Sequence, residues 1–155
     1  MINSRALAFG TAALVVLLDQ LSKAWALAQL PPIGSKPLLP GLLALQLTHN
    51  TGAAFSLFSG HPELLGLVSL VVAVGVALWI QRQGVMPLTR WLGVGLLLGG
   101  AIGNGLDRWR LGAVVDFLAL VPVDFPVFNL ADVAINGAVL CFALELLGGH
   151  GQRQP

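Results

Sequence analysis

Four long apolar stretches alternate with short polar breaks along the chain, at about residues 6–28, 64–80, 88–106 and 130–147. Each approaches the roughly 20 residues that an α-helix needs to cross about 30 Å of hydrocarbon. Backbone polar groups in lipid must be satisfied within the segment, which favours helices over open strands. The pattern predicts an all-α membrane protein of four transmembrane helices, forming a single domain over residues 1–155. The first stretch also resembles a cleavable signal peptide, with Arg5, an apolar core and Ala26-Leu27-Ala28. Asp19 and Lys23 interrupt the region beyond that core, so a retained span is the expectation.

The breaks carry an orientation signal. Arg5 precedes the first span, Arg82 and Arg90 flank the second break, and Arg153 follows the fourth span. Lys and Arg in short loops mark the cytoplasmic side, so both termini are expected there. Lys36, Arg108 and Arg110 oppose the bias without reversing it. The extracytoplasmic side then holds two longer connections, about residues 29–63 and 107–131. Between helices 1 and 2, Leu42 to Thr48 reads as a short strand, bracketed by Pro40-Gly41 and Asn50-Thr51-Gly52, giving a small β-containing segment. Val114 to Leu118 is apolar on both sides of Asp116 and reads as a segment lying at the interface. Pro122 and Pro126 argue against a long helix there. The glycines of the third stretch (Gly93, Gly95, Gly99, Gly100, Gly103) predict close helix packing. Gly148 to Pro155 reads as a frayed inner tail.

Composition agrees with the membrane reading. The 155 residues are 56% hydrophobic and only 10% charged, whereas soluble domains carry roughly 25% charged residues. A net charge of +1 offers no basic field for nucleic acid. The lone Cys141 lies in an apolar run and reads as a small buried hydrophobe. His49, His61 and His150 are scattered and form no HExxH motif.

Ionisable residues near lipid are costly, so each needs a reason. With the N-terminus inside, Asp19, Lys23, Asn50, Asn104, Asp107, Arg108, Asp116, Asn129 and Asp132 all fall at the extracytoplasmic face. The inner halves of the spans are almost purely apolar, with Glu145 the exception near an inner helix end. Asp19 and Lys23 are i, i+4 and share a helix face, a spacing that equally suits a structural ion pair. Asn104, Asp107 and Arg108 share another face, and Asp107–Arg108 equally suits a helix-end anchor. Asn129 and Asp132 are i, i+3. Asp116 and Asp132 have no adjacent cation and sit among apolar neighbours. A carboxyl in that setting resists ionisation, which is useful in catalysis.

Two carboxyls at one site can divide labour. One takes a proton from water while the other, protonated, hydrogen-bonds the scissile carbonyl. Competing chemistries are weaker. Ser22 and Lys23 are adjacent, so they point about 100° apart on a helix, and no G-x-S-x-G motif is present.

Five segments in order, Asp19-Gln-Leu-Ser-Lys23, Asn50-Thr-Gly-Ala-Ala-Phe55, Gly103-Asn-Gly-Leu-Asp-Arg108, Val115-Asp-Phe117 and Phe128-Asn-Leu-Ala-Asp132, resemble the lipoprotein signal peptidase (signal peptidase II) family. The resemblance implies a multi-pass enzyme of the bacterial inner membrane with its active site toward the extracytoplasmic face. Its substrate would be a diacylglyceryl-modified prolipoprotein, cut N-terminal to the lipidated cysteine. Asp116 and Asp132 would be the catalytic pair. Asn129 would hold the dyad or substrate, Asn50 and Gly52 would contact the substrate backbone, and Asn104, Asp107 and Arg108 would support the site. Asp19 and Lys23 would be architectural. The partners implied are membrane lipids and the cyclic peptide antibiotic globomycin; no cofactor or metal is implied. Two positions depart from the family's common pattern. Gly105 stands where a larger apolar residue is usual, which predicts a looser end to the third span. Val133 stands where Ser is frequent, which removes a hydrogen bond near the dyad. A loop around Asn50–Phe55 or His61 is expected to cover the peptide. The alternative function is a small proton- or cation-coupled transporter using the same acids, but a pathway needs polar residues at several depths.

Overall fold

The computed structural model describes residues 4–52 and 61–149. The four apolar stretches are helices: α1 (Ser4–Gln29), α2 (Pro62–Arg82), α3 (Leu88–Leu111) and α4 (Leu130–Gly149). Three strands join them: β1 (Lys36–Leu39), β2 (Leu43–Asn50) and β3 (Val114–Leu120). Three of the helices, at Ser4–Gln29, Pro62–Arg82 and Leu130–Gly148, are long and apolar enough to cross a membrane. Their outer faces carry exposed Leu14, Leu21, Leu67, Val71, Leu140 and Leu147, a surface that water would not tolerate over such an extent.

Helix α3 is the central element and packs against α1, α2 and α4. Its glycines explain both its lower hydropathy and its position. A Cβ on Gly95 would lie 2.6 Å from the Ala8 carbonyl oxygen, and one on Gly99 2.6 Å from Val15 Cβ, so α1 approaches along this stripe. Gly100 meets Ala131 and Ile135 of α4 in the same way. Helices surrounded by lipid gain little from hiding apolar surface from one another, so close backbone contact supplies much of the attraction. A core of Ala8, Ala12, Ile80, Trp91, Val94 and Leu98 fills the half of the bundle near the start of α3.

Gly105 does not loosen α3, contrary to the expectation from sequence. The helix continues to Leu111, and Gly105 lets Ser69 of α2 approach, its Cβ 3.0 Å from where a side chain would begin. The helix stops at Gly112, whose left-handed backbone (φ 71°) caps it through an N–H to the Arg108 carbonyl. That turn starts β3 two residues later.

The sheet is larger than the sequence indicated. Its order is β1-β2-β3, all antiparallel. The predicted strand is β2, but Val114–Leu118 is not merely an interfacial segment: it is most of β3. Val114 to Phe117 are all buried, so no alternation marks them as a strand in sequence. Phe128 extends the pairing by bridging Leu118, which brings the start of α4 beside Asp116.

Candidate active site

The polar residues converge at one end of the bundle, where α1 ends, α3 ends, α4 begins and the sheet packs. Among the described residues, the buried polar and charged side chains are Asp19, Lys23, Asn104, Asp107, Asp116 and Asn129, and every one belongs to this cluster.

Asp132 is placed by the first turn of α4. Asn129 is the residue before the helix, and its Oδ1 accepts from the Asp132 backbone N–H at 3.0 Å. Asp132 Oδ2 accepts in return from the Asn129 backbone N–H at 3.1 Å. This reciprocal pair satisfies donors that every helix start leaves free. The other carboxyl oxygen, Oδ1, accepts from Asn104 Nδ2 at 2.8 Å.

Asp116 is placed by β3. Antiparallel register sets Asn50 of β2 opposite Val114, so Asn50 and Asp116 lie diagonally on one face. Asn50 Nδ2 donates to Asp116 Oδ2 at 3.0 Å, and Asn129 Nδ2 donates to Asp116 Oδ1 at 2.6 Å. Asn129 thus holds both acids. The Asp116 carboxyl is raised from 3.8 to about 6, chiefly by burial and then by the neighbouring Asp132 charge; the bonds from Asn50 and Asn129 and the Lys23 charge pull the other way. Desolvation and a like charge both disfavour the ionised form.

Arg108 donates from Nη2 to the Gly52 carbonyl at 3.0 Å and faces the charges of Asp132, Asp116 and Asp107. Its Nε is buried and has no hydrogen-bond partner among the described residues. Gly52 N–H in turn donates to Asn50 Oδ1 at 3.0 Å, so this loop is tied to the site from both sides. Of the expected segment through Phe55 and the expected cover around Asn50–Phe55 or His61, residues 53–60 lie outside the described residues, as does the tail from 150 onward; His61 is exposed just before α2. Val133 is half exposed on α4.

Beneath the two acids lies a buried ionic frame. Lys23 Nζ is 2.8 Å from Asp19 Oδ2 and 2.9 Å from Asp107 Oδ2. Asp19 Oδ1 also accepts from the Ala131 N–H (3.0 Å), and Asp107 Oδ2 from the Val115 N–H (3.1 Å). Sequence reasoning quoted Gln20 without giving it a role. Its Nε2 donates to Asp107 Oδ1 at 3.0 Å, and its Oε1 accepts from Arg110 at 3.2 Å. The available signal was position alone, next to Asp19 on the same polar helix end. At the other end of the bundle, Glu145 accepts from both Nε and Nη2 of Arg90.

The model for Signal peptidase (SPase) II matches residues 11–148, a span that contains every group described above. The chain belongs to the signal peptidase II family. The chain is 56% identical over 142 residues to the lipoprotein signal peptidase of Parasynechococcus marenigrum (strain WH8102), covering 92% of this chain and 89% of that one. It is 55% identical over 139 residues to the lipoprotein signal peptidase of Synechococcus sp. (strain RCC307), covering 88% and 91%. Its fold matches a bacterial membrane enzyme structure solved in meso at 2.3 Å resolution, with a TM-score of 0.87 and 26% identity over 95% of this chain and 91% of that chain. Signal peptidase II membership makes this chain a membrane-embedded peptidase of lipoprotein processing.

Proposed function

We propose that this chain is an aspartic endopeptidase that removes the signal peptide from diacylglyceryl-modified prolipoproteins, cutting on the N-terminal side of the lipidated cysteine. The observation that carries the reading is the joint hold of Asn129 on Asp116 and Asp132, which places two carboxyls in one hydrogen-bonded unit. Asp116, with its raised pKa, carries the shared proton and hydrogen-bonds the scissile carbonyl. Asp132 takes a proton from water as its oxygen attacks the carbonyl carbon, and then passes that proton to the leaving amine. Arg108 stabilises the negative charge of the pair, and Gly52 and Asn50 line the approach to it. Asn104 and Asp107 support the site from α3.

In this reading the whole chain is one peptidase domain and α3 is the fourth span. α3 is sheltered by three apolar neighbours, so it needs less hydropathy of its own. Arg5 donates to the Gln83 carbonyl at 2.7 Å, so the start of α1 and the end of α2 share one end with Arg82 and Arg90. The positive-inside rule assigns that end, and both termini, to the cytoplasm. The catalytic end then faces outward from the bacterial inner membrane. Exposed Trp25 and Trp109 sit at that end, as aromatic side chains do at membrane interfaces. The substrate's acyl chains remain in the bilayer among the membrane lipids, and globomycin competes for the same site. A transporter reading is disfavoured because the buried polar groups stay at one depth.

The test is cleavage of a diacylglyceryl prolipoprotein by wild type, Asp116→Asn and Asp132→Asn at matched expression. Release of the signal peptide by wild type alone, blocked by globomycin, is the expected result. Undiminished cleavage by either variant rejects the dyad.

A further inference from the structure

Taking Asp116 and Asp132 as the dyad, we propose that Lys23 is a positioning residue that acts through Asn104 to orient Asp132. The Asn104 amide has two faces with opposite chemistry. Its Oδ1 accepts from Lys23 Nζ at 3.0 Å and from Asn129 Nδ2 at 3.0 Å. Its Nδ2 donates to Asp132 Oδ1 at 2.8 Å. An ammonium group is a donor with no acceptor, so only an oxygen can face it. The reversed amide would set NH2 against NH3⁺ and an oxygen against a carboxyl oxygen. The Lys23 charge therefore decides that Asn104 offers a donor to Asp132.

Lys23 is itself held still. Its side chain is buried on α1, clamped between Asp19 and Asp107 at 2.8 and 2.9 Å. A charge-assisted hydrogen bond is roughly twice as strong as a neutral one, so Lys23 is the dominant donor on Asn104, with Asn129 the weaker one. The clamp reaches the dyad by two further routes. Asp19 binds the N–H of Ala131, next to Asp132, and Asp107 binds the N–H of Val115, next to Asp116. A pair serving only to join α1 to α3 would need none of these three contacts.

The experiment is a double-mutant cycle between Lys23→Met and Asn104→Ala, read as kcat and KM on a diacylglyceryl prolipoprotein in detergent micelles. Each single variant is expected to lower kcat about 100-fold, as small misplacements of a catalytic group do. KM should stay within about threefold, because the role proposed for both residues is to orient Asp132 for the chemical step. The decisive result is the double variant, expected to be no slower than the slower single, since residues acting through one chain of contacts are not additive. Losses that multiply, or a folded Lys23→Met with wild-type kcat, overturn the proposal. Removing one partner of a buried ionic frame can unfold a protein. The same cycle is therefore also run from Asp19→Asn/Lys23→Met/Asp107→Asn, which removes all three charges and keeps side-chain acceptors for Ala131 and Val115. Wild-type kcat in that folded triple variant equally overturns the proposal. Asp132→Asn is measured alongside: activity there removes the dyad reading itself, whereas an inactive Asp132→Asn with a fully active Lys23→Met removes only the role of Lys23.

Discussion

Asn129 and Asp132 cap each other across the first turn of α4, with the Asn129 Oδ1 to Asp132 N contact at 3.0 Å and the return contact at 3.1 Å. The same Asn129 side chain reaches Asp116 at 2.6 Å. One residue thus carries a helix cap and the link between two acids. Asn129→Ala should lower stability by about 1 kcal/mol, the usual worth of an N-cap. It should lower kcat by about 100-fold or more, since both acids lose a fixed partner. Thermal unfolding in micelles and turnover on the lipidated substrate measure the two separately. A variant that loses stability yet keeps wild-type kcat would show that the cap alone matters.

Asp116 makes stability depend on pH. Its folded pKa is raised from 3.8 to about 6, so the folded protein binds its proton more tightly than the unfolded chain does. The associated stability is fully present below about pH 4 and is lost as pH rises through about 6. At roughly 1.4 kcal/mol per pH unit, the loss approaches about 3 kcal/mol. Asp116→Asn removes the titrating group. Its unfolding midpoint should therefore fall less than that of wild type between pH 4 and pH 7. Parallel curves for the two proteins would contradict a raised Asp116.

The length of the apolar runs alone located the four helices, because each run is bounded by polar or Pro-containing segments. The alternation of spans and loops also assigns Asp19, Asn104, Asp116 and Asp132 to one end of the bundle. What the sequence hid depends on non-local contact. β3 escaped notice because Val114 to Phe117 are buried on both faces, and its partner β2 lies some 70 residues earlier. Asp107 and Arg108 read together as a helix-end anchor or as support for the site, with no partner for Asp107 on another helix. Asp107 pairs with Lys23 of another helix at 2.9 Å, which neighbours in sequence cannot reveal. Gln20 was legible only as a polar neighbour of Asp19, since its contacts come from α3.

The Arg90–Glu145 pair should matter little. It lies at the end of the bundle away from the acids, and the Arg90 side chain is 42% exposed. An exposed pair contributes about 0–1 kcal/mol. Glu145→Gln is expected to shift stability by less than that and to leave kcat on the lipidated substrate unchanged. A large loss of turnover would mean that the two ends of the bundle communicate, which the cluster's single depth gives no reason to expect.

Gly103 offers the sharpest steric test. A Cβ there would sit 2.6 Å from Asp19 Oδ2 and 3.3 Å from Ala131 Cβ. Asp19 cannot yield easily, because one of its oxygens is held by Lys23 and the other by the Ala131 N–H. Gly103→Ala should therefore push α3 from α1 and α4, lowering stability by about 2 kcal/mol as overpacking does. The shift also moves Ala131, next to Asp132, so kcat should drop further than the unfolded fraction explains. Gly10→Ala is the matched control, with open space around its Cβ position. Alanine is favoured over glycine within a helix by about 1 kcal/mol, so Gly10→Ala should be neutral or stabilising. If both variants behave alike in unfolding and turnover, α1 and α3 are not in close contact at Gly103 and the ionic frame beneath the acids is less rigid than its distances imply.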